Sequence, residues 1–373
     1  MNREIILDAT VLRPPYSGVH RAVQAQARHL LPLLVSRGYS PCLATLDAEL
    51  LNLVAATPGA SPFRPPRATL RPACRILWQQ TLLKWRLRSA QPDLFYGLAY
   101  TLPLPCPVPA LLNVHDLIAL EHPELCSWTN RLHMNLLLAP SIRAARLNLV
   151  SATAVASQLQ KRLDIPASRI AVNPLGVEFE TFAKPTILPP ELQKLAAKPY
   201  LLFVSNLEPK KGIGVLLQAY AQVAEKCRLD LVIAGRPAWK CQADVAAIQN
   251  WRQPGQIHLL GSVPDAWLPA LYQQAAAFVF PSLAEGFGLP VLEAMAAGTP
   301  VIHSDHPVIR ETAGNAGLAF RTGDASDLVD KIGKLLESPA LRQELVAAGK
   351  ARAQGLSWQR WAARTLDLIA TVE

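Results

Sequence analysis

An α/β protein is expected from this chain, made of two Rossmann-like, doubly wound parallel-sheet domains. Three features of the sequence point there. Short apolar runs of strand length alternate with amphipathic stretches of helix length. The alternation halts at a proline-rich stretch, 184–199, and then starts again. At 373 residues the chain has the length of two ordinary domains. Alternation of this kind implies parallel strands joined by crossover helices that cover the sheet.

Ile5-Ile6-Leu7 is the first apolar run and reads as a strand. The spacing then predicts a helix from about Val19 to Ser36, with Val23, Ala27, Leu30, Leu31 and Leu34 on one stripe and Gly38 as its stop. Strands follow at Pro41–Leu46, Leu94–Tyr96 and Ala110–Val114. Past the proline-rich stretch come strand Tyr200–Val204, helix Ile213–Glu225 and strands Leu229–Ala234 and Ile257–Leu260. Helix Asp265–Ala275, strand Ala277–Pro281, helix Leu289–Ala297 and strand Pro300–His303 continue the pattern. Two helices are expected near 325–337 and 339–353, and a last one begins after Ser357, a suitable N-cap. Two such domains in tandem would face each other across a cleft, and ligands of open α/β sheets bind at the carboxyl ends of the strands.

Composition narrows the function. Half the residues are hydrophobic and 17% are charged, which excludes a disordered chain. Lys and Arg total 37 against 28 acidic residues, a net charge of +9 that favours anionic partners. Cys42, Cys74, Cys106, Cys126, Cys227 and Cys241 form no C-x-x-C pair, so buried or neutral thiols in a reducing compartment are expected instead of zinc or disulfides. The first residues read as a strand and not a signal peptide, and no apolar run is long enough to span a membrane. A cytoplasmic location is the expectation.

The charge is unevenly spread. Between residues 50 and 92 stand Arg64, Arg67, Arg71, Arg75, Lys84, Arg86 and Arg88, with no acidic residue. Trp78 and Trp85 interleave with them, alongside Leu77, Leu82, Leu83 and Leu87. Two readings stay open: a solvated positive face on a helix packed against the first domain, or a basic amphipathic helix on an anionic membrane, with Arg71, Arg75, Trp78, Lys84, Trp85 and Arg88 in contact. No nucleic-acid motif accompanies the charge, so no nucleic-acid partner is expected.

Four stretches carry candidate chemistry. The first runs from Pro281 to Val301 and holds Glu285, Gly286, Phe287, Gly288, Leu289, Pro290 and Glu293 between a strand and a helix. Its glycines allow positive φ and close approach of a ligand. Pro290 suits the first helical turn, and the N–H groups of Gly288 and Leu289, with the helix dipole behind them, suit a phosphate. Glu293 could accept from two vicinal ribose hydroxyls, and Glu285 could hold sugar hydroxyls or stabilise positive charge at a reacting carbon. The second stretch, Phe203 to Gly212, brings Lys210 and Lys211 into a helix start, either as solvated lysines or as counter-charges for a diphosphate. In the third, His115 ends an apolar strand beside Asp116, either as a satisfied core histidine or facing the cleft. The fourth, Tyr16-Ser17-Gly18-Val19-His20-Arg21, is a glycine turn after the first strand and a second anion-friendly loop.

Together these stretches resemble glycosyltransferase family 4, the retaining GT-B enzymes that use nucleotide-sugar donors, and the resemblance runs nearly end to end. The family's E-x7-E element appears as Glu285 to Glu293, its H-D-L element as His115-Asp116-Leu117, its basic pair as Lys210 and Lys211, and its N-terminal Gly loop as Ser17–Arg21. Ser357-Trp358 is similar to the point from which the last helix returns to the first domain. Two departures stand out: Ser205-Asn206 replaces the usual Gly-Arg after the strand, and Lys210 stands where an Arg is frequent. A lysine does not grip two oxygens as a planar guanidinium does.

The resemblance implies a GT-B fold: an acceptor-binding domain over 1–183 plus 355–373, a linker at 184–199 and a nucleotide-sugar-binding domain over 200–354. It implies that Lys211, helped by Lys210, neutralises the leaving diphosphate and that Gly286, Phe287, Gly288 and Leu289 frame its terminal phosphate. Glu293 would hold the ribose, Glu285 and His115 the sugar, and backbone near Gly261–Val263 the base. Ser17, Gly18, His20 and Arg21 would form the acceptor-side phosphate loop. No D-x-D occurs, so a metal-independent transfer of a mannose- or rhamnose-like hexose is expected, with no cofactor beyond the nucleotide-diphosphate sugar. The acceptor would be a saccharide or lipid-linked saccharide in polysaccharide, O-antigen or glycolipid assembly, reached at the inner face of the cell membrane. The rivals are a GT-B nucleotide-sugar epimerase or phosphorylase and, in a different class, a non-catalytic basic protein that binds membrane or nucleic acid.

Overall fold

The computed structural model describes residues 3–14, 17–126 and 128–372, without the side chains of 128–133. The chain divides into two compact units, Met1–Leu175 with Trp358–Glu373, and Gly176–Ser357. The first unit holds a seven-stranded sheet of β1 (Arg3–Asp8), β2 (Tyr39–Ala44), β3 (Ser61–Phe63), β4 (Leu94–Gly97), β5 (Ala110–Val114), β6 (Leu147–Val150) and β7 (Ile170–Val172). Their order is β3-β2-β1-β4-β5-β6-β7, with every pairing parallel. The second unit holds β8 (Tyr200–Val204), β9 (Asp230–Ala234), β10 (Ile257–Gly261), β11 (Ala277–Phe280), β12 (Val301–Ser304) and β13 (Leu318–Phe320) in the order β10-β9-β8-β11-β12-β13, again parallel throughout.

Each sheet reverses its winding once, between β1 and β4 in the first and between β8 and β11 in the second. These two switch points open crevices at the carboxyl ends of the strands, where α/β sheets take ligands. Strands buried on both faces need continuous apolar runs. Ile5, Ile6 and Leu7 in β1 and Leu201, Leu202 and Phe203 in β8 are fully buried accordingly. The helix Gly18–Ser36 buries its expected stripe of Val23, Ala27, Leu30, Leu31 and Leu34. The last helix, Trp358–Val372, packs on it and belongs to the first unit. Asn173, just beyond β7, fixes that return: its Nδ2 donates to the Trp361 carbonyl at 3.0 Å and to Thr365 Oγ1 at 2.9 Å.

Several boundaries differ from expectation. Strand β2 ends at Ala44 because Asp47 caps the helix Ala48–Ala55, accepting from the Leu50 amide at 3.0 Å. The stretch 184–199 is not a free linker. It winds through a 3₁₀ segment, Pro190–Ala197, that buries Leu192 and Leu195, with Leu188 buried just before it. Gln273 also holds the stretch, accepting from the Thr186 amide at 2.9 Å and donating to the carbonyls of Phe182 and Lys184 at 2.8 Å. Phe182 packs edge-on against Tyr272 within the second unit, so the division falls after Leu175 and not at 183.

Removing the Asn173 amide strands a carbonyl and a hydroxyl under the returning helix. Asn173→Ala should lower the stability of the first unit by about 1–3 kcal/mol. The urea midpoint should fall with its slope unchanged, and an unshifted midpoint would contradict this role.

A candidate donor site in the second unit

The loops that follow β8 and β11 meet at the second switch point. Gly212 has φ +67°, and a Cβ on it would stand 2.1 Å from the Pro281 carbonyl oxygen, so only glycine lets the two loops touch here. The Leu283 amide donates to the Lys210 carbonyl at 2.7 Å and sews the same seam. A 3₁₀ turn, Pro209–Lys211, presents both lysines. Lys211 Nζ bonds Glu285 Oε1 as an ion pair, with side chains 14% and 10% exposed. The same Nζ lies 5.7 Å from the centre of the Phe280 ring, and Lys210 Nζ lies 3.6 Å from Glu208 Oε2.

Burial alone would raise the Glu285 carboxyl. The charges of Lys211 and Lys210 and the hydrogen bond from Lys211 outweigh it and hold the group below the usual carboxylate range. The seam therefore brings an ionised carboxylate and two lysine side chains together in a small, partly dry volume.

Next to it, Gly288 (φ +95°) caps the helix Leu289–Ala297, and Pro290 sits in its first turn. The N–H groups of Gly288 and Leu289 open this helix, where no intrahelical carbonyl reaches them. Thr312 Oγ1 donates to the Phe287 carbonyl at 2.6 Å and fixes the loop before the cap. Glu293 is buried one turn in, and its Oε2 accepts from Tyr272 Oη at 3.0 Å. At the end of β10, Gly261 bridges Gly235, and Val263 is half-buried beyond it.

In the first unit, His115 is buried at the end of β5, with Nε2 2.9 Å from the Leu98 carbonyl. Burial keeps the imidazole below its ordinary pKa and hence neutral. Nε2–H then donates to Leu98, and Nδ1 keeps its lone pair. The ring lines a small pocket with Gln26, Asn113, Ser151, Asn173 and Trp361. Tyr100 packs edge-on against it and donates to Asp116 Oδ2 at 2.6 Å, while Asp116 Oδ1 accepts from the Ile118 amide. In the glycine loop, the Ser17 amide donates to His20 Nδ1 at 2.9 Å, so His20 serves the cap of the helix Gly18–Ser36, with Gly18 and Arg21 in its first turn. Tyr16 lies outside the described residues.

The basic segment is helical from Pro72 to Ala90 with one wide π-turn, Gln79–Leu83. It corrects the expected contact set. Trp78 is only 5% exposed and packs on Phe63, Arg75 is partly buried, and Lys84 Nζ donates to the Leu104 carbonyl at 2.6 Å. Arg71, Trp85 and Arg88 face outward, joined by Leu70, Leu77 and Leu82.

Comparison with known proteins bears directly on this arrangement. The model of the family "Glycosyl transferases group 1" matches residues 186–352. The O-antigen chain mannosyltransferase B of Escherichia coli is 32% identical over 288 residues, 76% of this chain and 75% of that one. The chain belongs to the group 1 glycosyl transferases. It is a hexosyltransferase of the family 4 type with a GT-B fold, which removes the non-catalytic reading. The phosphatidyl-myo-inositol mannosyltransferase of Mycobacterium leprae is 35% identical over 174 residues, 44% of each chain. The sucrose-phosphate synthase of Thermosynechococcus elongatus superposes with a TM-score of 0.76 at 20% identity, covering 99% of both chains, and shares the fold.

Sequence reasoning missed several residues around the glycosyltransferase's candidate site. Phe280 beneath Lys211 and Tyr272 on Glu293 carried no motif, because an aromatic in an apolar strand or helix looks like core. Asp8 did carry a signal: an acid closing the apolar run Ile5-Ile6-Leu7. It is buried at the first switch point.

The Glu285 carboxyl titrates below its unfolded value. Such a group stabilises the fold at neutral pH, and the contribution drains away as pH falls from the ordinary carboxylate range through the lower folded value. Glu285→Gln should therefore flatten the acid limb of the stability curve, read as melting temperature from about pH 7 to about pH 3. Parallel limbs would contradict the assignment.

Proposed function

We propose that this glycosyltransferase moves a mannosyl group from a nucleotide-diphosphate sugar such as GDP-mannose to a saccharide hydroxyl in O-antigen-type polysaccharide assembly. Transfer in this reading is retaining and metal-independent. The observation that carries it is the ionised Lys211–Glu285 pair at a switch point, beside a helix N-terminus capped by Gly288. The mannosyltransferase relatives support the choice of sugar.

The acceptor oxygen forms a bond to the anomeric carbon on the face from which the phosphate oxygen departs. The acceptor proton passes to that phosphate oxygen, and the products are a glycoside and a nucleoside diphosphate. Lys211 and Lys210, with the N–H groups of Gly288 and Leu289, take up the charge that grows on the diphosphate. Fixed charges of this kind need no reorganisation as the bond breaks. Glu285 faces the positive charge developing on the sugar ring. Glu293 holds the ribose, and the base rests near Gly261–Val263.

A membrane-facing role for the first unit is part of the same proposal. Leu70, Leu77, Leu82 and Trp85 are exposed, Trp85 by 67%, among the exposed Arg64, Arg67, Arg71, Arg86 and Arg88. No helix among the described residues is long and apolar enough to cross a bilayer. The patch fits an anionic leaflet at its surface, with apolar side chains entering the interface and arginines meeting headgroups. A lipid-linked saccharide at the cytoplasmic face is the acceptor this favours.

Lys211→Ala and Glu285→Ala should each reduce transfer by at least about a hundredfold while the melting profile stays cooperative. EDTA should leave turnover within about twofold. Near-normal transfer by either variant, or a strict need for Mg²⁺ or Mn²⁺, would overturn the mechanism. Vesicles containing phosphatidylglycerol should bind the protein at low salt, and Leu77→Ser with Trp85→Ser should weaken that binding by about tenfold. Unchanged sedimentation of the double variant would discard the membrane contact.

A further inference from the structure

The first switch point, between β1 and β4, carries a cation that the donor reading does not use. Asp8 closes β1 with both carboxylate oxygens already engaged. Oδ1 accepts from the Thr10 amide at 2.9 Å and Thr10 Oγ1 at 2.6 Å, and Oδ2 accepts from Gln79 Nε2 at 2.9 Å. Gln79 also donates to the Thr101 carbonyl at 3.1 Å and accepts from Thr101 Oγ1 at 3.0 Å. It thus ties the loop after β4 to the end of β1. Gln79 opens the π-turn of the 72–90 helix, a distortion found often at functional sites.

Arg75 lies four residues before Gln79, on the same helix face and one turn along. That places it over the crevice at the switch point. Its guanidinium is partly buried, yet among the described residues no hydrogen bond or ion pair within 4 Å engages it. Asp8 feels its charge, but that carboxylate is turned to neutral donors. Arg13, on the loop after β1, adds a second positive charge that Arg75 feels. Burial and Arg13 both work against the Arg75 cation, and Asp8 offsets them only in part. Five donors in a planar fork, half-dry and unmet, match a phosphate. The outward face of the same helical segment carries Leu77, Leu82 and Trp85.

We propose that Arg75, supported by Arg13, is the anchor for the phosphate or diphosphate of a lipid-linked acceptor at the first switch point. This rests on the glycosyl-transfer reading above and names its acceptor class. The helix 72–90 then has two tasks: its outer face meets the bilayer, and its inner face receives the phosphate at which the lipid ends and the saccharide begins.

The test titrates the full chain with farnesyl diphosphate, farnesol and inorganic pyrophosphate, with GDP or UDP saturating the nucleotide site. Wild type should bind farnesyl diphosphate at least about tenfold more tightly than either farnesol or pyrophosphate. Arg75→Gln should lose about tenfold or more for farnesyl diphosphate, leaving farnesol and nucleotide affinities within about twofold. Arg75→Lys should recover part of the loss. Arg13→Gln, an exposed change that leaves folding untouched, should cost about two- to fivefold and decides the matter even if Arg75→Gln folds poorly. Undiminished farnesyl diphosphate binding by Arg75→Gln would overturn the assignment. Pyrophosphate binding as tightly as farnesyl diphosphate would overturn the lipid-linked class and leave a site for free anions. If neither GDP nor UDP raises the melting temperature, the donor reading fails, while the farnesyl diphosphate titrations still decide Arg75.

Discussion

The ion pair between Lys211 and Glu285 is the constraint on which the second unit's chemistry depends. It spans two loops that the chain order separates widely and that the strand order β9-β8-β11-β12 makes neighbours. The pairing requires Gly212, because any side chain there would strike the Pro281 carbonyl and push the loops apart. Burial makes the Glu285 charge costly alone, and Lys211 beside it keeps that carboxyl ionised. In the proposed reading, a diphosphate at Lys211 would meet a cation already fixed in place and paired with a carboxylate.

The same logic recurs in the first unit with different residues. There the switch point is closed by neutral donors, Thr10 and Gln79, around one buried acid, and the arginine beside it stays without a bonded partner among the described residues. One sheet thus keeps its cation paired and the other keeps one in reserve. In the proposed reading, charge that arrives with a ligand has a place in each, which would give a physical use to the basic excess of the chain.

Much of this was legible in the sequence. Helix Leu289–Ala297 and strands β5 and β8 run over the residues that apolar spacing and Gly/Pro punctuation mark out. Glycines at 286 and 288 and the proline at 290 located the loop, because few other folds of the backbone need that combination. What stayed hidden had weak local signals. Strand β3 is three residues with Pro62 in the middle, tolerated because it lies at the sheet edge. Strand β7 is three half-buried residues. The inward turn of Trp78 could not be read from charge and aromatic content alone. It follows from Gln79 and Gln80, a polar pair whose bonds to Asp8, Thr101 and Leu102 set the rotation of the whole helix. Likewise the prolines of 184–199 mark irregular backbone, and only the buried leucines among them reveal that the segment is packed.

The seam between the β8 and β11 loops is the proposed seat of the donor's diphosphate, and a crystal structure with a bound nucleoside diphosphate decides it. Phosphate oxygens are expected within hydrogen-bonding distance of Lys211 Nζ and of the Gly288 and Leu289 amides. A diphosphate lodged elsewhere, with the Lys211–Glu285 pair untouched by it, would contradict that placement.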